Sequence, residues 1–323
     1  MEKVRITEFA DPVCTWCWGA SAILRAIEYR YDGQIEIDYS MSVMIDDIRT
    51  FSDRRLQIGG DDIEMSNRKI LSHWLDASTL HGMPVEEHGF HLFDNEHRST
   101  MPQCRAYITA KMYDTKHPSN RRGAKHYFRH IQESTACNAM KTGNNDVLAD
   151  IAATVGYEPA KFKVMMRSED VARQLEKERA SAIRYDIKST PTFIISFKEN
   201  ERKAEGYTTC EKLENIITEI TDGKVAPRRI ERLVPTQENI LKFIECHKEV
   251  YPVEIAATFG LKRKYGHSSL NIESYELLPD IIEELIKEKE ITITPKANSF
   301  KIICCNKHRS STQEKEHNYV GYF

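Results

Sequence analysis

The chain predicts an α/β protein in two parts, on three observations. Residues 3–44 read as strand, helix, strand. Residues from about 60 to 186 are almost wholly helical in pattern before β-rich runs return. The periodic pattern then lapses over a Pro-containing, charged stretch near 224–234. A length of 323 residues suits two domains of roughly 100–200 residues each. With 46 Lys+Arg against 49 Asp+Glu, 40% apolar and 29% charged residues, the composition is that of an ordinary globular chain; disordered, collagen-like and membrane classes are excluded. No stretch approaches the roughly 20 apolar residues of a bilayer span. The amino terminus enters a strand pattern without a signal-type apolar run, so a cytoplasmic location is expected.

Val4, Ile6 and Phe9 alternate with polar neighbours, and Asp11-Pro12 closes that strand. Helical spacing follows from Trp18 to Tyr31, through Ala22, Ile23, Ala26 and Ile27, and residues 34–44 alternate again. A strand–helix–strand unit of this kind pairs its strands in parallel. After the helical stretch, Thr190 to Phe197 is β-rich, Glu201 to Gly206 is a turn and second strand, and Cys210 to Ile220 is a helix. Beyond the break, Gln237 to Lys248 and Pro252 to Leu261 read as helices. Ser274 to Lys289 reads as a longer one whose interior Pro279 demands a late start or a kink. The strands 291–294 and 299–303 follow, joined by Pro295-Lys296-Ala297-Asn298. Three helices and a hairpin are the order of a winged helix. The expected domains are 1–223, with its helical insertion at about 60–186, and 235–305, followed by a polar tail at 306–323.

Chemistry concentrates in Asp11-Pro12-Val13-Cys14-Thr15-Trp16-Cys17-Trp18-Gly19, where two thiols lie three residues apart between a strand end and a helix start. Free amide groups and the helix dipole there favour a thiolate, lowering the Cys14 pKa below the free value of roughly 8.5. Cys17, one turn along, is placed to attack a mixed disulfide on Cys14 and release product. Cys14 is thus the attacking and Cys17 the resolving thiol. The same spacing is half of a zinc site, or two ordinary core thiols. A zinc ribbon needs a second close ligand pair, which the other cysteines do not supply nearby in sequence, and the strand-to-helix context favours exchange.

With this loop, the long helical insertion and Ser189-Thr190-Pro191-Thr192-Phe193 at a later strand, the chain resembles the thioredoxin-fold DsbA family, and within it the cytosolic FrnE-like dithiol–disulfide oxidoreductases or isomerases. The resemblance covers residues 1 to about 222. It implies a thioredoxin-like fold, a cis peptide before Pro191, and substrate backbone held by Thr190 and Pro191, with Trp16 and Trp18 flanking the thiols as client contacts. Unlike the periplasmic oxidants of the family, the chain has no signal-type segment, and its intervening pair is Thr15-Trp16, with no histidine to stabilise a very acidic thiolate. Reduction or isomerisation suits a reducing cytosol better than net oxidation. The expected partners are protein thiols and disulfides, with a cellular dithiol reductant or glutathione as electron source and no cofactor. A branch of the same broad family acts as an adaptor that delivers a transcription factor to a protease, so the competing expectation is a redox-sensing adaptor or regulator that binds a partner without turnover. A glutathione-using isomerase branch carries a single nucleophile at this loop, and the Cys14/Cys17 pair argues against it.

Other candidates are weaker. His88, His91 and His97, and His126 with His130 at i, i+4, are expected to be solvated, with no metal role. Cys104, Cys137 and Cys210 read as small buried residues; Cys304-Cys305, with His308 and His317 nearby, reads as a strand-end pair without function. Residues 226–323 hold 15 Lys+Arg against 14 Asp+Glu, too weak a footprint for nucleic acid. The clusters Arg228, Arg229, Arg232 and Lys262, Arg263, Lys264 are therefore assigned to domain packing or protein docking.

Overall fold

The computed structural model describes residues 2–118, 123–264 and 270–305. The opening unit is strand β1 (Val4–Ala10), helix α1 (Thr15–Tyr31) and strand β2 (Ile35–Met41). Six helices follow: α2 (Ile63–His81), α3 (Met101–Lys116), α4 (Ala124–Asn138), α5 (Asn145–Thr154), α6 (Pro159–Met166) and α7 (Glu169–Arg184). Strands β3 (Thr192–Phe197) and β4 (Asn200–Glu205) and helix α8 (Cys210–Thr221) complete the sheet, whose order is β2-β1-β3-β4. β1 and β2 are parallel, as their alternation and the intervening helix require; the other pairs are antiparallel. One face of the sheet is apolar. Val4, Ile6, Ile35, Ile37, Phe193 and Ile195 pack there against Leu24 and Ile27 of α1 and Leu213 and Ile217 of α8.

The helical insertion contains an irregular span at 82–100 that the helical pattern did not anticipate. Asn67 holds it: its Oδ1 accepts from the amides of Leu92 and Phe93, and its Nδ2 donates to the Phe93 carbonyl. One side chain supplies bonds that a loop's backbone would otherwise lack.

The C-terminal elements are α9 (Gln237–His247), β5 (Glu249–Val250), α10 (Pro252–Phe259), α11 (Leu278–Lys287), β6 (Ile291–Lys296) and β7 (Ser299–Cys304), with sheet order β5-β7-β6. The helix expected from Ser274 starts late, at Leu278, because Pro279 has no amide hydrogen and fits only the first turn. Phe243, Ile255, Leu278, Ile282 and Ile302 form a core that also takes in Tyr29 of α1.

Helix α10 lies on α1, and a buried ion network fastens the two. The Glu254 carboxylate, fully buried, meets Arg25 of α1 and Arg129 of α4, each at 3.1 Å, and accepts from the Tyr251 amide at 2.7 Å. Tyr251 donates its hydroxyl to Glu133 at 3.0 Å, and Lys301 of β7 pairs with the same carboxylate. Arg228, assigned with its cluster to domain packing or protein docking, clamps this seam: its Nε donates to the Tyr29 carbonyl at 2.8 Å, its guanidinium stacks over the Tyr29 ring, and it pairs with Asp32.

Removing one partner from a buried ion group leaves uncompensated charge, which costs about 3–5 kcal/mol. Glu254→Gln should therefore lower the unfolding free energy, read from urea denaturation, by about 3–5 kcal/mol. A loss below about 1 kcal/mol would show that solvent already compensates Arg25 and Arg129.

Candidate active site

Helix α1 begins at Thr15 rather than Trp18 because Cys14 is its N-cap residue, in extended conformation, with its carbonyl accepting from the Trp18 amide at 3.0 Å. The Cys14 sulfur therefore sits where the unpaired amides of the first turn concentrate partial positive charge. Cys14 is 4% exposed and Cys17, one turn on, is fully buried. The sulfur of Cys14 lies 3.5 Å from the Thr190 carbonyl, and the Thr190–Pro191 peptide is cis. Segments 176 residues apart thus meet at one thiol.

The two thiols are driven apart in acidity. A hydrogen bond from the Cys17 thiol holds the Cys14 pKa below its ordinary value; burial works against this, and the Thr190 side chain assists. Burial pushes the Cys17 thiol well up, and the neighbouring Cys14 sulfur and Glu8 carboxylate add to it. Glu8 occupies the apolar face of β1, in register between Tyr39 and Phe193, and both its carboxyl oxygens are buried without a partner at full hydrogen-bond geometry. Burial raises its pKa well above the carboxylate range, and the nearby Cys17 thiol offsets that only in part.

Two further buried groups shape the loop. The Asp11 carboxylate accepts from the amides of Val13 (3.0 Å) and Met44 (2.9 Å) and from the Thr100 hydroxyl (2.6 Å), with the Cys104 thiol at 3.8 Å. It ties the loop before Cys14 to the chain after β2 and to the start of α3. Burial outweighs these bonds and raises its pKa to about 6. His81, ending α2, accepts the Met83 amide at Nδ1 (3.1 Å), which leaves the proton on Nε2, 3.4 Å from the Thr15 hydroxyl. Its ring presses on α1 so closely that a Cβ at Gly19 would sit 2.5 Å from it. Burial lowers its pKa to about 3, so the imidazole is neutral.

Of the aromatic pair, Trp16 is half-buried on the rim, with His73, His81 and Tyr207 around its ring at 5.6–6.1 Å. Met44, 38% exposed, lies 3.8 Å from the Thr190 hydroxyl. Trp18 corrects the expectation of a client contact. It is fully buried, donates its indole N–H to the Pro84 carbonyl at 2.8 Å, and packs edge-on to Tyr251 beneath the Arg129 guanidinium. The helix period turns position 18 inward while position 16 faces out.

Of the other histidines, His91 lies against Asn67 and Glu64, His97 bonds Asp94 at 3.0 Å, and His130 bonds Thr154. Among the described residues no group of three or more His, Cys, Asp or Glu is placed to hold a metal ion. Cys104 and Cys137 are buried, Cys210 is partly so, and Cys304 closes β7; His308, His317 and the tail at 306–323 lie outside the described residues. Arg263 reaches back to the Thr79 carbonyl at 2.6 Å. Sequence reading missed Glu8, Asp11 and His81 as site residues. Only Glu8 left a signal, an acid at an inward position of an alternating strand.

A four-stranded sheet with a helical insertion and a Cys-x-x-Cys pair at the N-terminus of α1, facing a cis-proline turn, defines a DsbA-like thioredoxin-fold protein. The thioredoxin family model matches residues 8–217, and the chain belongs to that family. Among curated proteins it is similar to the ClpXP adapter protein SpxH of Bacillus subtilis, at 22% identity, over 80% of this chain and 79% of the relative. Among solved structures, a putative protein disulfide isomerase from Nitrosomonas europaea superposes with a TM-score of 0.54 at 16% identity, covering 69% of this chain and all of that one. A probable DsbA oxidoreductase from Streptomyces coelicolor gives 0.51 at 12% identity, over 70% and 93%.

Two titrations check this geometry. Thiolate absorbance should give Cys14 a midpoint below 9.0, and Cys17→Ala should raise it, because the largest stabilising contact is lost; an unchanged midpoint would assign the acidity to the helix alone. The Asp11 pKa rises from 3.8 to about 6 on folding, so protonated Asp11 favours the folded state. That contribution is full below pH 4 and is lost as pH rises through about 6, a span on the order of 3 kcal/mol. The difference in urea stability between pH 4 and pH 7 should shrink by that order in Asp11→Asn.

Proposed function

We propose that the chain is a thiol–disulfide oxidoreductase or disulfide isomerase acting on protein substrates. The observation that carries this is Cys14 at the α1 N-cap, 3.5 Å from the carbonyl that precedes Pro191 and in contact with a buried second thiol. An extended substrate would lie along Thr190 and Pro191, with Trp16 and Met44 taking its apolar side chains.

The Cys14 thiolate attacks one sulfur of a substrate disulfide. The substrate S–S bond breaks, a Cys14–substrate disulfide forms, and the departing thiolate takes a proton. In reduction, Glu8 in its carboxylate form takes the Cys17 proton, becoming the neutral acid, and the Cys17 thiolate attacks the Cys14 sulfur. The substrate leaves as a dithiol and a Cys14–Cys17 disulfide remains, to be reduced by a cellular dithiol or glutathione. In isomerisation a second substrate thiolate attacks the mixed disulfide instead, and Cys14 returns unchanged. His81, which faces Thr15, is neutral, and no cation stands among the groups that lower the Cys14 pKa; this favours reduction or isomerisation over strong oxidation.

The order α9, β5, α10, α11, β6, β7 supports reading residues 235–305 as a winged-helix-like domain, with 1–223 as the thioredoxin-like one. One observation favours a second reading. Similarity to the adapter protein spans 80% of the chain, more than the thioredoxin match at 8–217, so it extends into the C-terminal elements. On that reading the chain binds a protein partner without turnover, and its thiols report redox state.

Refolding of a scrambled-disulfide protein in a glutathione buffer separates the two. The native chain should accelerate it, and Cys14→Ser should abolish the acceleration. No acceleration by a native chain whose thiols are reduced and accessible would overturn the enzyme reading in favour of the adapter.

A further inference from the structure

The second face of the main sheet departs from the rule that a sheet buries both faces in apolar contacts when helices cover it. Its register aligns Thr7 with Asp38 and Ile194, Arg5 with Ser196, and Phe9 with Ser40. Opposite lies α7, and the stripe it turns to this face is also polar: Gln174, Lys177, Ser181 and Arg184, at helical spacing. The apolar residues of α7, Val171 and Leu175, point elsewhere, into the core of the helical insertion. Two polar surfaces face each other across a cavity of about 390 Å³. That lies within the roughly 300–1,000 Å³ of small-molecule sites.

The groups in the cavity are open to a ligand. Among the described residues, no side-chain hydrogen bond engages the hydroxyls of Thr7, Ser40 or Ser196 on its floor, and no carboxylate pairs with Lys177 or Arg184 on its rim. The lining acids are otherwise engaged. Asp38 pairs with Lys111 at 2.9 Å, Glu178 accepts the Met41 amide and lies 3.8 Å from the same lysine, and Glu201 accepts the Tyr185 hydroxyl. Arg5 pairs with Glu36 at 3.7 Å. What remains is a floor of hydroxyls under Lys177, which has no carboxylate partner among the described residues, and Arg184, whose guanidinium donates to the Ser181 hydroxyl at 3.1 Å and lies over the Tyr185 ring.

We infer that this cavity binds a small hydroxylated anion, a sugar phosphate or a hydroxycarboxylate, with Lys177 and Arg184 on the charge and Thr7, Ser40 and Ser196 on the hydroxyl groups. The site is separate from the thiols and independent of the proposed exchange chemistry.

Calorimetric titration of the full chain with glucose 6-phosphate and, separately, with citrate tests it. The expected result is saturable 1:1 binding of at least one probe, with a Kd of about 1 mM or tighter. Binding of the first alone identifies a phosphate ligand; binding of the second alone identifies a carboxylate. Lys177→Gln with Arg184→Gln should weaken binding at least about tenfold, or about 1.4 kcal/mol. Ser196→Val should weaken it with both cations intact. The charge variants alter exposed side chains, so their circular dichroism should match the native chain. No binding of either probe up to about 10 mM would overturn the proposal, as would unchanged affinity in the charge variants.

Discussion

Cys14 ionises readily because α1 brings the Cys17 thiol, one turn on, and the amides of its first turn to the sulfur. The position of α1 is therefore the constraint on which the rest depends. The sheet holds it from below through Leu24 and Ile27, and α10 holds it from behind through Glu254 and Arg25. His81 presses on it where Gly19 leaves room, and Trp18 pins its second turn to Pro84 and Tyr251. Among the described residues no hydrogen bond or ion pair joins the C-terminal elements to Cys14 or to the Thr190–Pro191 turn, yet they hold α1, on which the thiol sits.

The site is also arranged to keep cations away from its thiols. His81 is neutral. Arg129, the cation nearest Trp18, is committed to Glu254. What stabilises the Cys14 thiolate is a neighbouring thiol, the Thr190 side chain and backbone dipoles. A thiolate held by dipoles alone is less acidic than one held by a cation, and its disulfide is correspondingly less oxidising. The absence of histidine from Thr15-Trp16 pointed the same way, and the structure places His81, beside Thr15, where burial has discharged it.

Most of the frame was legible in the sequence because periodicity reports burial, and burial decides strand and helix. The strand–helix–strand opening, the later β unit and the delayed start of α11 at Pro279 all follow from local pattern. The sequence also set Cys14 at or just before the first helical turn, although its helical spacing began only at Trp18 and the structure starts α1 at Thr15. What local pattern cannot carry is contact between distant segments. Thr190 meeting Cys14 came from resemblance to a known family, while Asp11 meeting Thr100 and His81 meeting Thr15 left no trace in either sequence neighbourhood. Trp18 was misplaced for a related reason, since composition flags a tryptophan beside two thiols but only the packed helix shows which way it turns. The polar second face was written in the alternation of Arg5 and Thr7, but an alternating strand reads the same whether its polar face meets solvent or a cavity.

Glu8 bears on the choice between exchanger and platform. A carboxyl buried with only a neighbouring thiol to offset its desolvation costs stability, of a size that a neutral residue of similar shape would avoid. A surface that only binds a partner gains nothing from that cost, and neither does a pair of thiols that merely reports redox state, since both work with any neutral residue beneath Cys17. Resolution of a mixed disulfide is different. It requires the buried Cys17 to lose a proton in a place water does not reach, so a base must already lie beside it. A carboxyl with a raised proton affinity, next to a thiol with a raised one, is matched to that transfer. The least favourable residue on the apolar face of β1 is thus the one whose presence turnover explains and binding alone does not.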